Sequence, residues 1–234
     1  MIYSIWRVGY VVMLEKLNNS MIRAVVLYLV YFLYTSIASS LVFALNVANT
    51  AYVMMPADIL FAVFAVFMYR KGLKECVQKL KKKKALKVVG SVLIGVVAIL
   101  ALNVVMGIIS SVFLPEYSMD SNTEAMLGLL DVSPIYAFFK VLIFAPVAEE
   151  ILFRESISSC VKNNVLFIFL SAIIYTGMNF VFSTDALTFL DLLIYFLPAV
   201  LFSFLYVKND RNIIIIMIIK FIMQFVPFII LLLG

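Results

Sequence analysis

Apolar runs long enough to cross a bilayer follow one another along this chain, and a pair of adjacent carboxylates interrupts one of them. A helix needs about 20 apolar residues to span a hydrocarbon core about 30 Å thick. Runs near that length extend from about Ala24 to Val47, Ala51 to Tyr69, Val88 to Leu114, Ser133 to Arg154, Val165 to Phe182, Leu187 to Val207 and Asn212 to Leu233. Hydrocarbon offers no partner to a backbone N–H or C=O, so runs of this kind are restricted to helices that satisfy those groups internally. With 65% hydrophobic and 13% charged residues in a chain of 234, too little polar surface remains to solvate a globular domain. The expected fold class is therefore all-α: a polytopic membrane helical bundle of about seven transmembrane helices.

The charges order these runs. Between Arg70 and Lys87 lie nine of the eighteen basic residues, including Lys81 to Lys84, against the single acid Glu75. Basic loops stay on the cytoplasmic side. The stretch after the third run carries Glu116, Asp120, Glu124 and Asp131 and no lysine or arginine, which makes it an outer loop. Asp185 and Asp191 bracket a second outer turn, and Lys208 to Arg211 form an inner one. These assignments place the N-terminus inside and the C-terminus outside. Residues 1–23 carry an apolar stretch too short to cross, and form an interfacial segment in preference to a cleaved signal peptide, since no small-residue cleavage site follows. Residues 24–132 hold the first three spans with the basic loop 70–87, and residues 133–234 hold the remaining four. The expected location is an integral, multi-pass protein of a bacterial cell membrane.

The same charges bound the partners. A run of lysines at a membrane surface attracts anionic lipid, by about 1 kcal/mol for each charge. No aromatics interleave the lysines, and topology accounts for the net charge of +5, so nucleic acid is not an expected partner. Cys76 and Cys160 have no metal or disulfide spacing and read as two reduced thiols. Asp58, within or at the outer edge of the second run, reads as an interfacial or hydrated acid. Lys140, in the outer half of the fourth run, can pair or snorkel.

Glu149 and Glu150 demand more. An ionisable side chain within a span is costly unless paired, hydrated or protonated, so it marks a functional or strongly paired site. Glu150 and Arg154 stand at i, i+4 with the acid first, the favourable order for an ion pair on one helix face. Glu149 points about 100° away and is left for another role. Pro146, three residues earlier, removes a backbone hydrogen bond and tends to kink the helix where a polar site would use the freed carbonyls. Later spans carry two further polar pairs at i, i+4: Tyr175 with Asn179, and Lys220 with Gln224. By helical rise, Glu149, Asn179, Lys220 and Gln224 all fall at depths that let them face one cavity opening to the cytoplasm. Taken singly, Asn179 and Gln224 also suit hydrogen-bonded glue between helices.

Two adjacent glutamates with an arginine four residues after the second resemble the first motif of the CPBP family. That family comprises CAAX prenyl proteases and bacteriocin-processing or self-immunity membrane proteins, including lysostaphin-resistance-protein-like members. The resemblance covers about Ile135 to the end, and implies an intramembrane endopeptidase in which Glu149 activates water and Glu150 pairs with Arg154. It also implies histidines and an asparagine on two later helices. Asn179 and Lys220 stand at the family's histidine positions and Gln224 at its asparagine position, and the chain contains no histidine at all. Carboxylates, amides and an ammonium do not make a zinc site, so no metal or cofactor is expected. Amide donors can stabilise an oxyanion. Nothing in the set, however, supplies the neutral-range acid that protonates a leaving amine.

Two readings of function follow. In the first, the protein is a non-proteolytic or impaired member, a pseudoenzyme that binds a membrane protein or peptide, as in bacteriocin immunity. In the second, it is a glutamate-dependent endopeptidase cleaving a peptide or prenylated tail at the cytoplasmic face. A transporter is disfavoured because inverted repeats and broken helix pairs are not evident.

Overall fold

The computed structural model describes residues 2–113, 121–181 and 189–233, with the side chains of residues 2–18, 110, 113, 121–125, 180, 181 and 189–191 excepted. The expected outer acids Glu116, Asp120 and Asp185 lie outside the described residues, as do the side chains of Glu124 and Asp191. The described residues are helical apart from short turns, with no strand among them. Helix α1 spans Ile2–Ala44, α2 Ala51–Lys82, α3 Ala85–Phe113 and α4 Ser121–Val132. A long central helix follows, made of α5 (Pro134–Phe139), two π-helical segments (Lys140–Glu149 and Ile151–Glu155) and α6 (Ser156–Cys160). The chain ends with α7 (Asn164–Val181), α8 (Phe189–Lys208) and α9 (Ile213–Leu233).

Among the described residues, four segments are long and apolar enough to cross a membrane: Asn19–Ala44, Ala51–Lys82, Ala85–Ile109 and Ile213–Leu233. Asn164–Asn179 and Leu192–Lys208 are shorter apolar helices. The central helix differs in kind, because its residues Val141, Leu142, Phe144, Ala145, Ala148, Ile151, Leu152 and Phe153 are buried by protein. α2 and α9 both pack against its first π-helical segment, while α3 packs on α9 and α7 on α8. At Gly95 the α3 backbone comes so close to α9 that a Cβ would run into the Ile219 side chain. The exterior of α3 presents Leu93, Ile94, Val97, Leu100 and Val104, an apolar face suited to hydrocarbon. The protein is an integral, multi-pass membrane protein.

Local chemistry explains where the helices stop. No proline lies between Ile2 and Ala44, and α1 is continuous through Ala24. It ends where Asn46 turns left-handed (φ 46°) and Val47 and Asn46 donate to the carbonyls of Val42 and Phe43. That pattern is a Schellman stop, in which asparagine tolerates the conformation better than most residues. Asp210 (φ 58°) ends α8 in the same way, with Arg211 and Asp210 donating to Tyr206 and Val207.

The basic stretch 70–87 is not the loop expected from its charge. It is helical to Lys82, and only Lys83 and Lys84 form the turn into α3. Leu73, Cys76 and Leu80 recur at helical spacing and pack into the core formed with Tyr206, Ile213 and Ile216. Lysine, leucine, glutamate and glutamine are all good helix formers, so charge sets the side of the membrane while apolar spacing sets the conformation.

Candidate functional site

The fourth run of the sequence becomes the central helix because Pro146 cannot continue an ordinary α ladder. It has no N–H to donate, and its ring crowds the carbonyl one turn back. The backbone takes the wider π register from Lys140 to Glu149 and again from Ile151 to Glu155. Such wide turns are uncommon and recur at functional sites. Neighbouring helices supply donors to the carbonyls below the glutamates. Tyr28 of α1 donates to Leu152 O at 2.9 Å, and Ser156 also donates to that oxygen. Ser171 of α7 donates to Phe153 O at 2.7 Å and itself accepts from Ser203 of α8 at 3.0 Å.

Arg154 Nη1 donates to Glu150 Oε1 at 3.0 Å, with both side chains almost wholly buried. The Arg154 guanidinium also lies over the Tyr175 ring, 5.0 Å from its centroid. Lys220 Nζ, from α9, lies 2.9 Å from Glu149 Oε2 and 3.0 Å from Glu150 Oε1. Glu149 therefore does not diverge from Glu150 into a separate environment, since one ammonium bridges the two carboxylates. The four side chains sum to zero: two carboxylates, one guanidinium and one ammonium.

Above this cluster lies a cavity of about 560 Å³ lined by Glu149, Tyr175, Asn179, Lys220 and Gln224 among apolar neighbours. The polar residues singled out in the two later helices thus share one space with Glu149. Asn179 Nδ2 donates to Tyr175 O at 2.8 Å in its own helix. Gln224 Oε1 is buried and meets no donor in the protein.

The cavity does not extend toward the lysine-rich end of the bundle. Its lining takes Ile99 and Asn103 from α3, Met126 and Leu129 from α4, and residues out to Pro227 from α9. These lie in the halves of the helices remote from Lys83 and Lys84. On the lysine-rich side of Glu149, Ile151, Leu152, Ile216 and Ile219 are buried.

A second charged cluster corrects the reading of Asp58. This acid is fully buried, not hydrated. It accepts from Tyr34 at 3.0 Å, Tyr136 at 2.9 Å and Lys140 Nζ at 2.8 Å. Two opposite charges in separate apolar runs already hinted at such a pair, because each needs a partner in a low-dielectric interior. The hydroxyls of Tyr28, Ser171 and Ser203 left no comparable trace, since buried hydroxyls in helices are common.

A metal does not fit the glutamate pair. The ammonium of Lys220 stands between the two carboxylates where a cation would bridge them, and Cys76 and Cys160 are placed elsewhere, neither of them lining the cavity. Zinc sites use imidazole, thiolate and carboxylate ligands, and an ammonium is not one.

Residues 131–226 match the family model described as type II CAAX prenyl endopeptidase Rce1-like. This segment belongs to the CPBP family. The matched residues contain the whole glutamate cluster, Asn179 and Gln224, whereas Tyr34 and Asp58 lie outside them. No curated protein and no solved structure matches the chain. Within the CPBP segment, the motif Glu149, Glu150 and Arg154 is intact, and Lys220 stands where the resemblance implies a histidine.

Proposed function

We propose that this protein is a CPBP-family member that does not hydrolyse peptides, and that it uses the cavity above Glu149 to bind a membrane-embedded peptide or protein partner. The observation that carries this reading is Lys220, whose ammonium joins Glu149 to Glu150 at 2.9 and 3.0 Å. A base that takes a proton from water here would leave one carboxylate against two cations. The hydroxide so formed carries the balancing negative charge, but the transfer replaces the Glu149–Lys220 ion pair by a contact between an ammonium and a neutral carboxyl, which is penalised in a desolvated interior. No histidine is present to deliver a proton to a leaving amine. The protein is oriented with the lysine-rich end in the cytoplasm of a bacterial cell, and the seven apolar segments form its membrane domain.

The competing reading is a glutamate-dependent endopeptidase. It draws on the matched family and on Glu149, whose side chain keeps 23% of its surface accessible at the cavity. Purified protein in lipid nanodiscs, incubated with farnesylated peptides ending in a CAAX sequence, separates the two. The expected result is no cleavage product above the level given by Glu149→Gln. A product formed by the wild type and lost in Glu149→Gln would overturn the non-hydrolytic reading.

A further inference from the structure

The turn between α2 and α3 meets the turn between α8 and α9 around a second cavity, of about 410 Å³. Lys82, Lys83, Lys84, Lys87 and Lys208 line it, and the only carboxylate in its lining is Asp210. Lys83 Nζ engages Asp210 at 2.7 Å and holds its carboxyl below the usual carboxylate range. One bound carboxylate against five ammonium groups leaves the cavity with a charge of +4. Of the five lysines, only Lys83 has a carboxylate partner among the described residues. Concave surfaces lined by one sign of charge concentrate counter-ions of the other sign.

We infer that this cavity binds a phosphate-bearing anion, and the surroundings favour the headgroup of an anionic phospholipid as its source. Both α2 and α3 are candidate membrane spans that end at this turn, so the lysines stand where a bilayer's phosphates would lie. The N-terminus of α3 adds the positive end of its dipole. Ser91, one turn beyond Lys87, supplies a hydroxyl to the same wall. Ile94, on the face of α3 that Lys87 and Ser91 share, is more than half exposed and offers an acyl chain an apolar track beyond the lysines. A free phosphate would use the lysines and leave that track unused.

Native mass spectrometry of the full-length protein, released from detergent with equal phosphatidylglycerol and phosphatidylcholine, tests this. The wild type retains phosphatidylglycerol in preference. A lysine close to an anionic surface is worth about fivefold in association, so Lys84→Gln with Lys87→Gln lowers that retention by roughly tenfold or more. Lys71→Gln with Lys74→Gln, which changes two lysines of α2 outside the cavity lining, leaves it unchanged. Asp210→Asn raises it, because the pocket loses its carboxylate while asparagine keeps the left-handed backbone. That gain is not an effect that misfolding would imitate. Displacement of the lipid by millimolar inorganic pyrophosphate, with equal stabilisation by pyrophosphate alone, would support the anion site and assign it to soluble phosphates. Equal retention of the two lipids by the wild type, or equal losses in the two double variants, would overturn the proposal.

Discussion

Lys220 completes a cluster in which two negative and two positive charges cancel, so each single substitution leaves a charge uncompensated. Lys220→Met gives −1 and Glu149→Gln gives +1, whereas the double variant retains the neutral pair Glu150 and Arg154. Removing one member of a buried ion pair costs about 3 to 5 kcal/mol, while replacing both by neutral groups is often close to harmless. Lys220→Met should therefore lower stability by about that amount. Adding Glu149→Gln should recover most of the loss. Thermal unfolding in detergent of the two single variants and the double variant measures the coupling. Strictly additive changes would show that the two side chains do not interact. The distances at Lys220 Nζ were beyond the reach of sequence, because residues 71 positions apart meet only through the packing of α9 on the central helix.

At the scale of elements, Asp58 fastens α2 to α1 through Tyr34, to α5 through Tyr136 and to the first π-helical segment through Lys140. The two charged partners differ in exposure: the Lys140 side chain keeps 27% of its surface accessible and that of Asp58 only 1%. Lys140 can regain solvation when its partner is removed, and Asp58 cannot. Lys140→Met should thus destabilise by about 3 to 5 kcal/mol and Asp58→Asn by distinctly less. Urea or thermal unfolding of the two variants in detergent gives the order, and a larger loss for Asp58→Asn would refute this account of the pair. The sequence showed both residues inside apolar runs, but the pairing depends on how α2 lies against the central helix. Pro146 likewise signalled a disturbed helix, whereas the extent of the π register followed from the donors that Tyr28 and Ser171 bring to Leu152 and Phe153.

For the whole molecule, the concentration of lysine at one end predicts an orientation with that end in the cytoplasm. Native Cys76 is a poor reporter because it is buried. A better pair is Lys84→Cys at the lysine turn and Asp131→Cys at the end of α4, both at exposed positions. In intact cells a membrane-impermeant maleimide should label Asp131→Cys at once and Lys84→Cys only after permeabilisation, and the reverse pattern would invert the topology. The sequence by itself determined that the chain is helical and membrane-embedded, since apolar run length and backbone hydrogen bonding leave no other solution. It also determined that Glu150 and Arg154 form a pair, because the i, i+4 spacing is a local property of a helix. Only the tertiary structure decided that Lys220, the cation to which charge balance already pointed, pairs with the glutamates instead of snorkelling, that Asp58 is buried with Lys140, and that the cavity extends away from the lysine-rich end. Each of these depends on contacts between segments far apart in the chain, where hydropathy records that a residue is buried but not which neighbour it meets.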